Sequence, residues 1–193
     1  LTTMLIPTSG TATVLGYDVQ KNLGKVRESI GIVLGGERGL YTRVNAIQNL
    51  NYFADLYGVS PKTRDKRVKE LLQFVGLWDR AHDRVETYSR GMKQRLHLAR
   101  GLINDPKVIF LDEPTIGLDP EIARETREMI SGLAKEGRTI LLTTHYMYEA
   151  DQLCKRVAII RRGEIVALDS PEGLKKYVRD TSVVEIDGFG ISE

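Results

Sequence analysis

An α/β fold with a mostly parallel sheet is what this sequence predicts, and three observations predict it. Val108-Ile109-Phe110-Leu111 is an unbroken apolar run, the pattern of a strand covered on both faces. An amphipathic stretch from Pro120 to Ala134 follows, and then a second apolar run at Thr139–Thr144, giving strand, helix, strand. The segment from Ala46 to Asn104 shows only helical spacing, so the sheet is interrupted by a helical insertion.

Composition narrows the function classes. The 193 residues are long enough to bury a full core. Lys and Arg number 28 against 26 Asp and Glu, a net charge of +2, which gives no electrostatic case for nucleic acid. Cys154 is the only cysteine, so no disulfide framework exists and an intracellular setting is the default expectation. No apolar run approaches the roughly 18 residues of a spanning helix, and no signal-peptide pattern opens the chain. Any action at a membrane is expected through a partner.

Leu1–Ile6 reads as the last turns of a helix stopped by Pro7, with Thr8-Ser9-Gly10 as a turn. Thr11–Leu15 predicts a short strand, and Gly16-Tyr17-Asp18 a turn out of it. Ser29–Leu34 is the next strand, and it empties into Gly35-Gly36-Glu37-Arg38-Gly39, a mobile hinge. Ala46–Tyr57 predicts a helix burying Ile47, Leu50, Phe53, Ala54 and Tyr57. Ser60-Pro61 opens another, which buries Val68, Leu71, Leu72 and Val75. Trp78 reads as a packing anchor, and His82 as a solvated residue.

Tyr88-Ser89-Arg90-Gly91-Met92 then starts a helix with Ser89 as N-cap. Met92, Leu96, Ala99, Leu102 and Ile103 form its apolar stripe. Lys93, Gln94, Arg95, His97 and Arg100 are expected on a solvated polar face. A serine and a glycine at a helix N-terminus leave free N–H groups for an anion. The same residues also describe an ordinary capped amphipathic helix.

The apolar strand from Val108 ends on Asp112 and Glu113, where open α/β sheets place their ligand crevice. One acid can hold Mg²⁺ through water while the other takes a proton from an attacking water. Two acids there can equally serve as a turn or helix cap. Asp119 is a candidate N-cap with Pro120 at the first helical position, for a helix with Ile122, Met129, Ile130, Leu133 and Ala134 on its apolar face. His145 follows the next strand. If the two strands are parallel neighbours, Asp112, Glu113 and His145 share one crevice. Met147–Leu153 predicts a short helix, Val157–Ile160 and Ile165–Leu168 a hairpin, and Ser170–Tyr177 a last helix. A strand over Thr181–Ile186 closes the reading.

In its ordered set of motifs, from residue 1 to about 175, the chain resembles the nucleotide-binding subunit of ABC transporters. Val108–Glu113 is similar to the Walker B strand, Ser89-Arg90-Gly91 to the signature motif, Gly117-Leu118-Asp119 to the D-loop and His145 to the switch histidine. Glu37–Tyr41 echoes the drug- or polysaccharide-exporter branch. The resemblance implies a truncated P-loop NTPase core of RecA type, with a mostly parallel sheet, an inserted helical subdomain and short antiparallel strands. Its divisions would be 1–45 (partial core and antiparallel strands), 46–104 (helical subdomain with the signature), 105–177 (Walker B, D-loop, switch histidine) and an unassigned tail, 178–193.

The resemblance further implies ATP and Mg²⁺ as ligands. Asp112 would position the metal, and Glu113 would be the general base. His145 would contact the γ-phosphate, and Ser89, Arg90, Gly91 and Asp119 would meet nucleotide held by an opposite subunit. Partners would be a second ATP-binding subunit, in a homo- or heterodimer, and an integral-membrane transporter subunit, on the inner face of the plasma membrane. Transport-coupled export would be the activity.

Three departures stand against that pattern. Arg90 replaces a signature glycine, and Gly35 stands where the family's Q-loop has glutamine, with Glu37 nearby. The only Gly-Lys pair, Gly24-Lys25, is followed by Val26, so no P-loop pattern occurs in residues 1–193. The chain by itself is therefore expected to lack useful ATP binding. The alternative expectation is a P-loop-less paralogue that acts as a partner-binding module.

Overall fold

The computed structural model describes residues 1–35 and 39–177; the expected role of Glu37 and the strand at 181–186 lie outside the described residues. Leu1–His145 forms one compact unit and a second begins at Tyr146.

The first unit is built on a three-stranded parallel sheet. The strand at Val108–Asp112 (β4) lies in its centre, between β3 (Ile30–Val33) and β5 (Thr139–Thr143). Ile30 pairs with Val108 and Asp112 with Thr143, so the strands end level with one another. Val108 to Leu111 are all buried, as a central parallel strand requires. One face is covered by a hairpin of β1 (Thr13–Val14) and β2 (Tyr17–Asp18) and by helix α1 (Leu23–Ser29), with Val14, Val19, Val26, Ile30, Val108 and Phe110 in one cluster.

The other face receives helix α4 (Arg90–Gly101). Its approach to β3 is so close that two glycines are required. A Cβ on Gly31 would overlap the Gly101 carbonyl, and one on Gly101 would come within 2.6 Å of Val33 Cγ2. Helices α2 (Ala46–Leu56) and α3 (Pro61–Phe74) precede α4 as an insertion between β3 and β4. An Asn45–Gln48 capping box starts α2, and α3 buries Val68, Leu71 and Leu72. Asn49, fully buried, exchanges hydrogen bonds with the backbone of Tyr41 (2.8 and 2.9 Å), and Arg100 donates to the Gly39 carbonyl at 2.6 Å. The far end of the expected hinge is thus tied to the helices. Helix α5 (Pro120–Lys135) joins β4 to β5.

The second unit carries α6 (Met147–Leu153), the hairpin β6 (Val157–Arg161) and β7 (Glu164–Asp169), and α7 (Pro171–Lys176), capped by Ser170. No helix among the described residues is long and apolar enough to cross a membrane.

Several expectations fail, each for a physical reason. Leu1–Ile6 is not helical, and Thr3 takes φ 63, outside the right-handed helical region. Tyr17-Asp18 is a strand, because Leu15 and Gly16, both with positive φ, make the turn earlier. Ser60 and Asp119 precede helices without a side-chain cap bond. Tyr57 is exposed, with Ala46 and Asn49 buried in the face expected of it, and in α5 Ala123 and Thr126 are buried while Ala134 is exposed. The polar face of α4 is not solvated: His97 is completely buried and Gln94 nearly so, since α4 is flanked by α2, α3 and β3.

Candidate functional site

The level ends of β4 and β5 set the chemistry. Thr143 Oγ1 donates a short hydrogen bond to Asp112 Oδ1, fixing that carboxylate at the sheet edge. The next peptide N–H, of Glu113, donates to the Thr143 carbonyl at 3.0 Å. There the chain must leave the sheet, and Glu113 takes φ 48, a left-handed conformation rare for a side chain of its kind. Bonds from Ile116 N–H to the Glu113 carbonyl and from Leu118 N–H to the Thr115 carbonyl carry the turn onward.

That turn brings Glu113 to His145, with Oε1 2.9 Å from Nδ1. Glu113 Oε2 is buried and makes no hydrogen bond. A buried carboxylate oxygen in that state lacks the partner such atoms normally have. Of the three residues expected in one crevice, Glu113 and His145 meet directly, while Asp112 bonds to Thr143 at the ends of the same two strands.

Gly35, at the end of β3, borders the acids. A Cβ there would lie 2.9 Å from the Asp112 carbonyl oxygen and 3.3 Å from Glu113 Cβ. Glycine lets the chain pass close to the backbone of the acid pair. An apolar groove of 310 Å³, lined by Leu1, Met4, Ile32, Leu34, Phe110 and Leu141, runs along the same sheet edge to Asp112 and Thr143.

The remaining site residues form a second group. Ser89 Oγ accepts from Met92 N–H at 3.2 Å, capping α4 as read. Ser89 and Arg90 are exposed. Gly91 lies against α5, where a Cβ would come within 2.8 Å of Ile122 Cγ2. Gly117 and Asp119 are exposed in the loop that leads into α5. The basic face of α4 is tied down here too, for Arg95 forms a short ion pair with Glu125 of α5.

No group of three His, Cys, Asp or Glu able to cage a metal occurs among the described residues. One oriented carboxylate at a crevice does fit Mg²⁺, which is usually held by one or two carboxylates together with phosphates and water. Asp112 is the residue that would hold it.

The family is shown directly. A family model described as ABC transporter matches residues 1–116. This chain belongs to the ABC transporter ATP-binding family. It is 36% identical over 185 residues to the linearmycin resistance ATP-binding protein LnrL of Bacillus subtilis, covering 96% of this chain and 59% of that protein. It is 53% identical over 135 residues to the fluoroquinolones export ATP-binding protein of Mycobacterium tuberculosis strain H37Rv, covering 70% of this chain and 44% of the relative. The chain thus spans about half the length of these two relatives. A dimeric ATP-binding cassette in a post-hydrolysis state with ADP and Pi superposes with a TM-score of 0.77 at 25% identity, covering 88% of this chain and 77% of the other. The expected P-loop NTPase fold, with a parallel sheet and short antiparallel strands, is therefore the observed one.

Thr143 was missed from sequence. Its only signal was a polar residue closing an apolar strand, and the register with Asp112 that gives it meaning is a tertiary fact.

Proposed function

We propose that the complete protein hydrolyses ATP as the nucleotide-binding subunit of an exporter, at the inner face of the membrane, with a membrane-embedded partner moving the cargo. The observation that carries this reading is the Glu113–His145 pair beside a threonine-oriented Asp112, in a chain whose family binds ATP.

Glu113 is the general base: its carboxylate, at the end of β4, takes the proton of the attacking water. His145 contacts one oxygen of that carboxylate, and its role would be to stabilise charge gathering on the γ-phosphate. Asp112 would hold Mg²⁺, which would neutralise phosphate charge when bound with ATP. Ser89 and Gly91 would offer the N-terminus of α4 to the γ-phosphate of ATP on an opposite subunit, and Asp119, exposed ahead of α5, would meet the same nucleotide. Residues 1–193 contain no phosphate cradle of the Gly-x₄-Gly-Lys-Ser/Thr kind, so this stretch alone does not turn ATP over. A cradle of that kind supplies several charge-assisted hydrogen bonds of roughly 1.5–3 kcal/mol each, against about 4–8 kcal/mol for millimolar to micromolar binding.

Mixed dimers test the arrangement. Ser89→Arg in one full-length subunit paired with Glu113→Gln in its partner leaves one composite site intact and is expected to keep about half of the activity. Both changes in the same subunit, paired with wild type, damage both sites and are expected to abolish turnover. Equal activity in the two mixtures sinks the reading.

A further inference from the structure

The loop 116–119 and the start of α4 meet through a contact that nothing in the expected motif provides. Gly117 has φ +64, and a Cβ built on it would overlap the Arg90 guanidinium carbon and both terminal nitrogens. Those three atoms lie almost equally far from the Cβ position, so the guanidinium packs on the side of Gly117 where a side chain would stand. Two further contacts hold the same helices: Gly91 against Ile122, and Arg95 with Glu125. These two fix the axis of α4 on α5. Arg90 reaches the loop itself.

We infer that Arg90 is a positioning residue, whose guanidinium packs on Gly117 and sets the 116–119 loop relative to the N-terminus of α4. Ser89 and Asp119 are thereby held in one arrangement. The inference rests on the proposed ATPase reading for its kinetic consequence, and on the packing alone for its structural one. A planar group can lie on a glycine backbone and a tetrahedral ammonium cannot, so charge is not the property used. Gly117 suits the site through its backbone conformation, φ +64, which other residues adopt only with strain. Misplacing a binding element by about 1 Å can lower turnover by up to about a hundredfold without a matching loss of affinity.

The test uses the full-length protein with Arg90→Ala, Arg90→Lys, Gly117→Ala and the Arg90→Ala/Gly117→Ala double variant. Amide exchange at residues 116–119, measured without nucleotide, is expected to quicken by about tenfold in all four. kcat is expected to fall by about tenfold in each single variant with KM for ATP within twofold. The double variant is expected to be no worse than the more damaged single, because both changes remove one contact. Unchanged exchange in Arg90→Ala overturns the inference whatever the ATPase does. A raised KM that Arg90→Lys restores overturns it in favour of a charge contact with phosphate. Multiplied losses in the double variant overturn it as well. Normal exchange effects in a protein lacking Glu113-dependent turnover would instead refute the ATPase reading and leave the packing role standing.

Discussion

His97 makes the stability of this protein depend on pH in a direction that can be worked out. The imidazole is completely buried on α4, and neither ring nitrogen has a hydrogen-bond partner. Burial, with the Arg100 charge adding to it, pushes its pKa from 6.5 down to about 4. In the unfolded chain the ring takes up a proton as the pH falls below 6.5. The folded protein does not accept it until about 4. The unfolded state therefore binds more protons throughout that window, and stability falls as the pH drops through it. Each pH unit removes about 1.4 kcal/mol, so the full window is worth about 3 kcal/mol, a large part of a typical domain's stability. Urea unfolding at pH 7.5 and pH 4.5 measures it, with His97→Leu as reference. The leucine removes both the titration and two unpartnered polar atoms. It is expected to be neutral or stabilising at pH 7.5 and to gain about 2–3 kcal/mol over wild type at pH 4.5. Parallel pH curves for the two proteins would refute the argument.

Two further outcomes follow from the sheet edge. Thr143→Val keeps the shape of β5 but leaves Asp112 without its hydroxyl donor; the concentration of Mg²⁺ needed for half-maximal ATPase in the full-length protein is expected to rise about tenfold, in line with a charged hydrogen bond of roughly 1.5–3 kcal/mol. An unchanged Mg²⁺ requirement would remove Thr143 from the site. Gly35→Ala presses a methyl group on the Asp112 carbonyl; it is expected to cost about 1–3 kcal/mol in urea midpoint, and to slow turnover by shifting Glu113. Retention of both stability and rate would show that the crossing has more room than the structure gives it.

The sheet was legible where the pattern was strong. Four apolar residues in a row at Val108–Leu111 can hardly be anything but a covered strand, and the pairing of β4 with β5 followed from strand, helix, strand. Ser89 was legible as a cap because its hydroxyl bonds locally. The face of α4 was not: a helix read alone assigns Gln94 and His97 to water, whereas α2, α3 and β3 surround it and bury them. Helix α1 was missed because Leu23–Ser29 buries only Val26, too little to show a period. At the site, Asp112, Glu113 and His145 came from sequence. What sequence could not give was their coupling: the Thr143 hydroxyl in register, the left-handed turn at Glu113, and the guanidinium of Arg90 on Gly117. All three depend on neighbours far away in the chain.

Glu113→Gln in the full-length protein tests the central claim most directly, by measuring ATP binding and single-turnover hydrolysis on the same sample. Glutamine keeps the size and the contact with His145 but cannot take the proton from water. The account predicts ATP affinity within a few-fold of wild type and hydrolysis slowed by at least about a hundredfold, the contribution expected of a general base. Hydrolysis close to the wild-type rate would contradict it.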